Sequence, residues 1–327
     1  HVFTHLQRLR SRVRNGRPVW APVTFHPRLA QRTQTDTLMQ LHFLRLAFKL
    51  LNLVSPRLAA RLAVSIFYTP RRYPASNWEQ VALSAGRDDQ LLFDGEPLAA
   101  TIWGDNGPTV LLVHGWQGRR GQLGKIALAL MAEGFRIVTV DGPAHGSSTK
   151  RRTTLVEFAQ AVEIAADRYG PLHAIVGHSF GAAASAIALR KGVHARCAVL
   201  ISCPYSLRHV VRGFARIVGL PNRSHEQMYP IMQRLHRCPE SDLSFDTIGP
   251  ELQLPCLSIH DAADKYIPVS DGEKVSRSIA QAKWIRTQDL GHMRILQAEA
   301  VVQQVTDFVV QARDKPSFSV LTAQPTT

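Results

Sequence analysis

From about residue 78 the chain alternates two rhythms. Short apolar runs follow one another at LAATIW (98–103), TVLLVHG (109–115), RIVTVD (136–141), HAIVG (173–177), CAVLIS (197–202), PCLSIHD (255–261) and AKWIRT (282–287), each the length of a buried strand. Between them lie stretches of helical periodicity: GKIALALMAEGF (124–135), residues 153–170 with Thr154 as cap and Gly170 as stop, 180–191, 270–281 and 295–312. Strands that alternate with helices predict an α/β fold whose mostly parallel central sheet carries helices on both faces. One interval breaks the alternation. Residues 204–250 are long for a connection and carry helical patterns of their own, which predicts a helical insertion lying over a site as a cap.

The first 77 residues read differently. Residues 38–68 predict two helices broken near Ser55-Pro56, with Leu41, Leu44, Phe48 and Leu51 on one face. Residues 1–37 are polar and basic; Arg8, Arg10, Arg12 and Arg14 repel one another, and no order is expected there without a partner. The expected organisation is therefore an N-terminal extension over 1–77, a main domain over 78–313 with its cap at 204–250, and a loose tail over 314–327.

Charge sharpens this division. Residues 1–75 hold 13 Lys and Arg against one acid, Asp36, whereas the remainder of the chain holds 26 basic and 24 acidic residues. Nearly all of the net charge of +14 thus belongs to the extension. Arg45, Lys49, Arg57 and Arg61 interrupt its apolar run, so no segment there reaches the roughly 18 uncharged residues of a spanning helix. The favoured reading is a helical pair packed on the main domain. The alternative is that residues 1–68 lie on an anionic membrane surface. Nucleic acid is disfavoured, because the segment shows no reading module and its helices are apolar-faced. Four cysteines, Cys197, Cys203, Cys238 and Cys256, have no metal-ligand or disulfide-framework spacing and read as free thiols in a reducing, cytoplasmic compartment, with peripheral membrane attachment as the variant. His225-Glu226 opens like a zinc motif, but Tyr229 stands where the second histidine would be; neither a metal nor any other cofactor is expected.

The chemistry centres on Gly177-His178-Ser179-Phe180-Gly181, which follows one predicted strand and opens the next helix. A serine there is either a helix cap or a nucleophile on a tight strand-to-helix turn, flanked by glycines because only they fit against the neighbouring backbone. Three other segments favour the nucleophile. LLVHGWQG (111–118) ends a strand at Trp116, whose N–H, with that of Phe180, would make an oxyanion hole. LSIHDAADKYIP (257–268) delivers Asp261 and Asp264 into a loop, either of which could orient an imidazole. DLGHMRIL (289–296) puts His292 in a loop before the last helix. The order Ser, Asp, His is that of one known triad class.

These segments together resemble the α/β-hydrolase superfamily, over about residues 78–312. DGPAHGSS (141–148) resembles a structural turn of that superfamily, which makes His145 architectural. The resemblance implies Ser179 as nucleophile, Asp264 as acid through its D-x-x-x-P match with Pro268, His292 as base, Trp116 and Phe180 as backbone oxyanion donors, and 204–250 as cap. It also implies a serine hydrolase acting on a small-molecule carboxylic ester, carboxylesterase- or lipase-like. The alternatives are acyl transfer or thioester hydrolysis on the same triad, or a binding protein that keeps the fold without turnover. Tyr205, Phe214, Ile217, Leu220, Met228, Tyr229, Met232 and Leu235 of the insertion could line an acyl pocket or form the cap's own core. The extension over 1–77 departs from the common fold.

Overall fold

The computed structural model describes residues 27–313, with side chains from residue 39 onward. Eight strands form one sheet: β1 (Arg87–Phe93), β2 (Glu96–Trp103), β3 (Thr109–Val113), β4 (Arg136–Val140), β5 (Leu172–His178), β6 (Ala195–Ile201), β7 (Cys256–Asp261) and β8 (Ala282–Thr287). Their order is β1-β2-β4-β3-β5-β6-β7-β8. β2 runs antiparallel to both β1 and β4, and every other neighbouring pair is parallel.

The apolar runs are continuous because both faces of the central strands are covered. Leu111 and Val113 of β3, Ile175 of β5 and Ala198 and Leu200 of β6 enter one core, while Val110, Leu112, Ala174, Val176, Cys197 and Val199 enter the other. Helices α5 (Leu155–Tyr169) and α6 (Phe180–Arg190) cover the first face; α4 (Gly124–Ala132) and α12 (Glu299–Gln311) cover the second. Thr154 caps α5 as expected. Its hydroxyl accepts from the Glu157 N–H at 3.1 Å, and the Glu157 carboxylate accepts from the Thr154 N–H at 2.7 Å. From β3 the chain steps first to β4 on one side and then to β5 on the other. Such a reversal opens a crevice at the strands' carboxyl ends, where open α/β sheets hold their ligands.

The N-terminal segment forms α1 (Pro27–Val54) and α2 (Pro56–Phe67), followed by the short α3 (Asn77–Ser84). The break falls at Ser55, whose hydroxyl accepts from the Leu58 N–H, and Pro56 occupies the first helical position, where a missing N–H costs nothing. The helix begins at Pro27, eleven residues ahead of the expected start at 38. The expectation of no order therefore fails over 27–37, where proline opens a helix that the downstream apolar periodicity continues. Its remainder, 1–26, and the tail over 314–327 lie outside the described residues.

Between β6 and β7 the chain adds α7 (Leu207–Val218), α8 (Asn222–His236) and α9 (Phe245–Glu251), and α10 (Val269–Ser278) follows β7. The N-terminal helices pack on this insertion: α1 on α7, and α2 on α8. Of the insertion's apolar residues, Leu220, Met228 and Met232 are buried and Tyr205, Phe214 and Tyr229 half-buried. Ile217 and Leu235 face outward and line nothing. No helix among the described residues is long and apolar enough to cross a membrane. Cys197, Cys203 and Cys256 are buried free thiols, and Cys238 is partly so.

Candidate active site

Ser179 stands between the last residue of β5 and the first of α6, with φ +53° and ψ −121°. A non-glycine residue adopts this conformation only when its surroundings enforce it. The enforcement is visible at the flanking glycines. A Cβ on Gly177 would stand 2.5 Å from Ala182 Cα, and one on Gly181 would press into the backbone oxygens of Val113 and His114. The strand, the turn and the helix can meet only where those positions carry no side chain. The N–H of Phe180, as the first helical residue, has no acceptor within α6.

β3 ends beside this turn. Gly118 N–H bonds back to Gly115 O at 3.0 Å, closing a turn with Trp116 and Gln117 (φ +56°) at its corners. The Trp116 ring meets Phe180 edge-on at 5.0 Å and stacks on Phe67 of α2 at 6.3 Å. Phe67 in turn meets Phe214 of α7 at 5.2 Å. Four aromatic rings, from the turn after β3, the start of α6, the extension and the insertion, thus form one wall, and Ser179 is only 7% exposed.

His292 begins its approach in the short helix α11 (Gly291–Arg294), after β8. Its Nε2 lies 3.0 Å from Ser179 Oγ, and its Nδ1 lies 2.6 Å from Asp264 Oδ2. The two carboxylates left open by sequence separate cleanly. Asp261 accepts from the N–H groups of Ala263 and Gly291 and from the Thr287 hydroxyl, so it ties the loop after β7 to the loop that carries His292. The Asp264 side chain is fully buried; its Oδ1 accepts from the N–H groups of Tyr266 and Ile267 and its Oδ2 faces His292. Burial pushes its carboxyl up, but hydrogen bonds from His260 and His292 more than offset that and hold it far below the usual carboxylate range. It is a carboxylate and can only accept, so it faces an Nδ1–H of His292.

Two histidines that the sequence did not single out support this chain. His178 Nε2–H donates to the His292 carbonyl oxygen at 2.9 Å, and the rings lie 4.7 Å apart. Burial, with the neighbouring His292, drives its pKa well down, so it is a neutral strut. His260 Nε2–H is shared between Ile267 O at 3.0 Å and Asp264 Oδ2 at 3.3 Å. Signals for both existed: His178 is the variable residue of the glycine-serine pentapeptide, and His260 is a buried polar residue at the end of an apolar strand. His145 is architectural, as expected. It is buried, its Nδ1–H donates to Pro143 O, and burial lowers its pKa to about 3. Among the described residues no cluster of His, Cys, Asp and Glu is placed to hold a metal ion.

The match to the model of the alpha/beta hydrolase family spans residues 110–304, more than half of the chain, and the protein belongs to that family. No curated protein matches the sequence. Among solved structures, a putative lipase from Acinetobacter baumannii is similar at 16% identity with a TM-score of 0.57, covering 74% of this chain and 98% of its own. A membrane phospholipase A, a bacterial virulence factor, is similar at 18% and 0.58, covering 87% and 100%. An esterase from Pyrococcus furiosus is similar at 18% and 0.58, covering 75% and 97%. At these identities the likeness is one of fold.

Proposed function

We propose that this protein is a serine hydrolase of carboxylic esters, acting through an acyl-enzyme on Ser179. The observation that carries the reading is the continuous hydrogen-bonded path from Ser179 Oγ through His292 to the buried Asp264 carboxylate. A free serine hydroxyl is a weak nucleophile at neutral pH. Here His292 Nε2 takes its proton as Oγ bonds to the ester carbonyl carbon, and Asp264 stabilises the imidazolium that forms. The carbonyl oxygen becomes an oxyanion, received by the N–H groups of Trp116 and Phe180. Losing one such donor typically costs about 3 kcal/mol, roughly a hundredfold in rate. The intermediate collapses, the alkoxide leaves with the proton from His292, and an acyl-Ser179 ester remains. Water then attacks with His292 again as base, which releases the acid and restores the hydroxyl.

The wall of Phe67, Trp116, Phe180 and Phe214 suits an apolar acyl group, and the 204–250 insertion acts as a cap over it. The test uses p-nitrophenyl esters of increasing chain length and a fluorophosphonate probe, applied to the wild type and to Ser179→Ala. Hydrolysis and labelling are expected in the wild type only. Undiminished hydrolysis by Ser179→Ala, or absence of labelling in folded wild type, refutes the mechanism.

A further inference from the structure

Helix α1 is apolar on two sides, and only one of them is used by the fold. Phe48 is buried and Leu44 and Leu51 are half-buried against the insertion, where Asn52 also accepts a hydrogen bond from Ser224 of α8 at 2.8 Å. At 100° per residue, a second apolar row lies about 150° away around the helix. In that row Phe43 is 66% exposed, Leu50 56% and Leu53 80%, and α2 also exposes Leu58 at 47% and Leu62 at 41%. Large side chains at helical spacing on the outside do not stabilise the fold; an apolar row of this kind marks a surface that meets something.

The charge around the row identifies what it meets. Lys49, Arg57 and Arg61 are exposed beside it, and residues 37–75 contain no Asp or Glu. The preceding residues add seven arginines against Asp36. We propose that the outer face of α1 and α2 docks the protein along an anionic lipid surface. Acyl chains would take up the leucines and Phe43, and headgroup phosphates the cationic rim. A second copy of this chain fits less well. A two-fold contact would bring Lys49, Arg57 and Arg61 against the same cations of the partner, with no local acid to offset them. Nucleic acid would meet the cations and leave the apolar row facing phosphates. The helix lies on the surface and does not span it, since Arg45 and Lys49 interrupt its apolar length.

The docking is independent of the ester chemistry and is tested without it. The full chain is co-sedimented with vesicles of phosphatidylcholine alone and with vesicles containing equal parts phosphatidylglycerol, and its oligomeric state is read by analytical ultracentrifugation. Circular dichroism melting checks that each variant is folded. Wild type is expected to bind the anionic vesicles, more weakly as salt rises. Phe43→Ser/Leu50→Ser/Leu53→Ser is expected to lower the partition coefficient roughly a hundredfold with an unchanged melt. Lys49→Gln/Arg57→Gln/Arg61→Gln is expected to lower it by about tenfold or more on anionic vesicles only. Failure of the wild type to bind anionic vesicles overturns the proposal. So does wild-type binding by the folded serine variant, or a stable dimer that the serine variant dissolves.

Discussion

Substituting Asp264 by asparagine changes one atom's chemistry at nearly constant volume, and the hydrogen bonds around it dictate the outcome. Oδ1 receives the backbone N–H groups of Tyr266 and Ile267, and Oδ2 faces His292 Nδ1 at 2.6 Å and His260 Nε2 at 3.3 Å. An amide has one acceptor. If its oxygen stays with the two backbone donors, its NH2 confronts His292, which must then present Nδ1 as acceptor and carry its proton on Nε2. That tautomer points N–H at Ser179 and cannot take the serine's proton. If the amide turns the other way, the backbone N–H groups of Tyr266 and Ile267 lose their acceptor and meet the amide NH2 instead; the Ile267 group is part-buried, and leaving it unsatisfied costs roughly 1–3 kcal/mol. The first arrangement is the cheaper, so the fold survives and the base is lost. The expected fall in kcat is about 10³- to 10⁴-fold, or ~4–5.5 kcal/mol of transition-state stabilisation, with KM little changed. Steady-state hydrolysis of a short p-nitrophenyl ester measures both, with a thermal melt as the folding control. Activity within tenfold of wild type in folded Asp264→Asn means that another group orients His292, and the reasoning fails.

Other consequences can be checked with simpler assays. Gly181→Ala drives a methyl group into the β3 backbone at Val113 and His114 and should cost about 3 kcal/mol or more, read as a lower urea midpoint; an unchanged midpoint contradicts the close packing. Arg120→Ala leaves the buried Asp141 carboxylate without the guanidinium that holds it at 2.6 Å, with only the Arg120 and Ser147 N–H groups remaining; a loss of about 3 kcal/mol is expected in the same assay. Burial lowers the pKa of His114 and His178, of His145 to about 3 and of His236 to about 4. Unfolded histidines bind protons near pH 6.5 that these folded ones refuse, so their contribution is complete above that pH and is lost as pH falls toward 4 and below. Urea midpoints should therefore drop between pH 7 and pH 4.5, and a midpoint that rises on acidification excludes this account.

The strands whose side chains fill both cores announce themselves in sequence, because a run such as TVLLV has no solvent face to make polar. β1 does not: its first half, Arg87-Asp88-Asp89, is solvated at the sheet's edge, and only Leu91 and Phe93 are buried. Three of the site's parts were legible because each sits where a strand ends and a loop begins, a local event. The choice between Asp261 and Asp264 was carried by the family's pattern, since three residues of separation in one loop look alike until Gly291 N–H and His292 are seen to approach different carboxylates. The roles of His178 and His260 depend on contacts that no spacing encodes. The periodicity of α1 reveals its inner face through Phe48, but a second apolar row on the same helix blurs the signal and is recognised only once the packing shows which row is spare.

The last turn of α2 gives the extension a mechanical role. Tyr68, the residue that follows it, is buried; its phenol is hydrogen-bonded to His236 Nε2 at 2.7 Å, and its carbonyl receives the Thr153 N–H just ahead of α5. Phe67, one position earlier, presses on both Trp116 and Phe214. The insertion is therefore not a free flap hinged only at its own two ends. It is bolted through this dipeptide to the N-terminal helices, so any large movement of the insertion relative to the sheet must carry the helical pair along with it or break that joint.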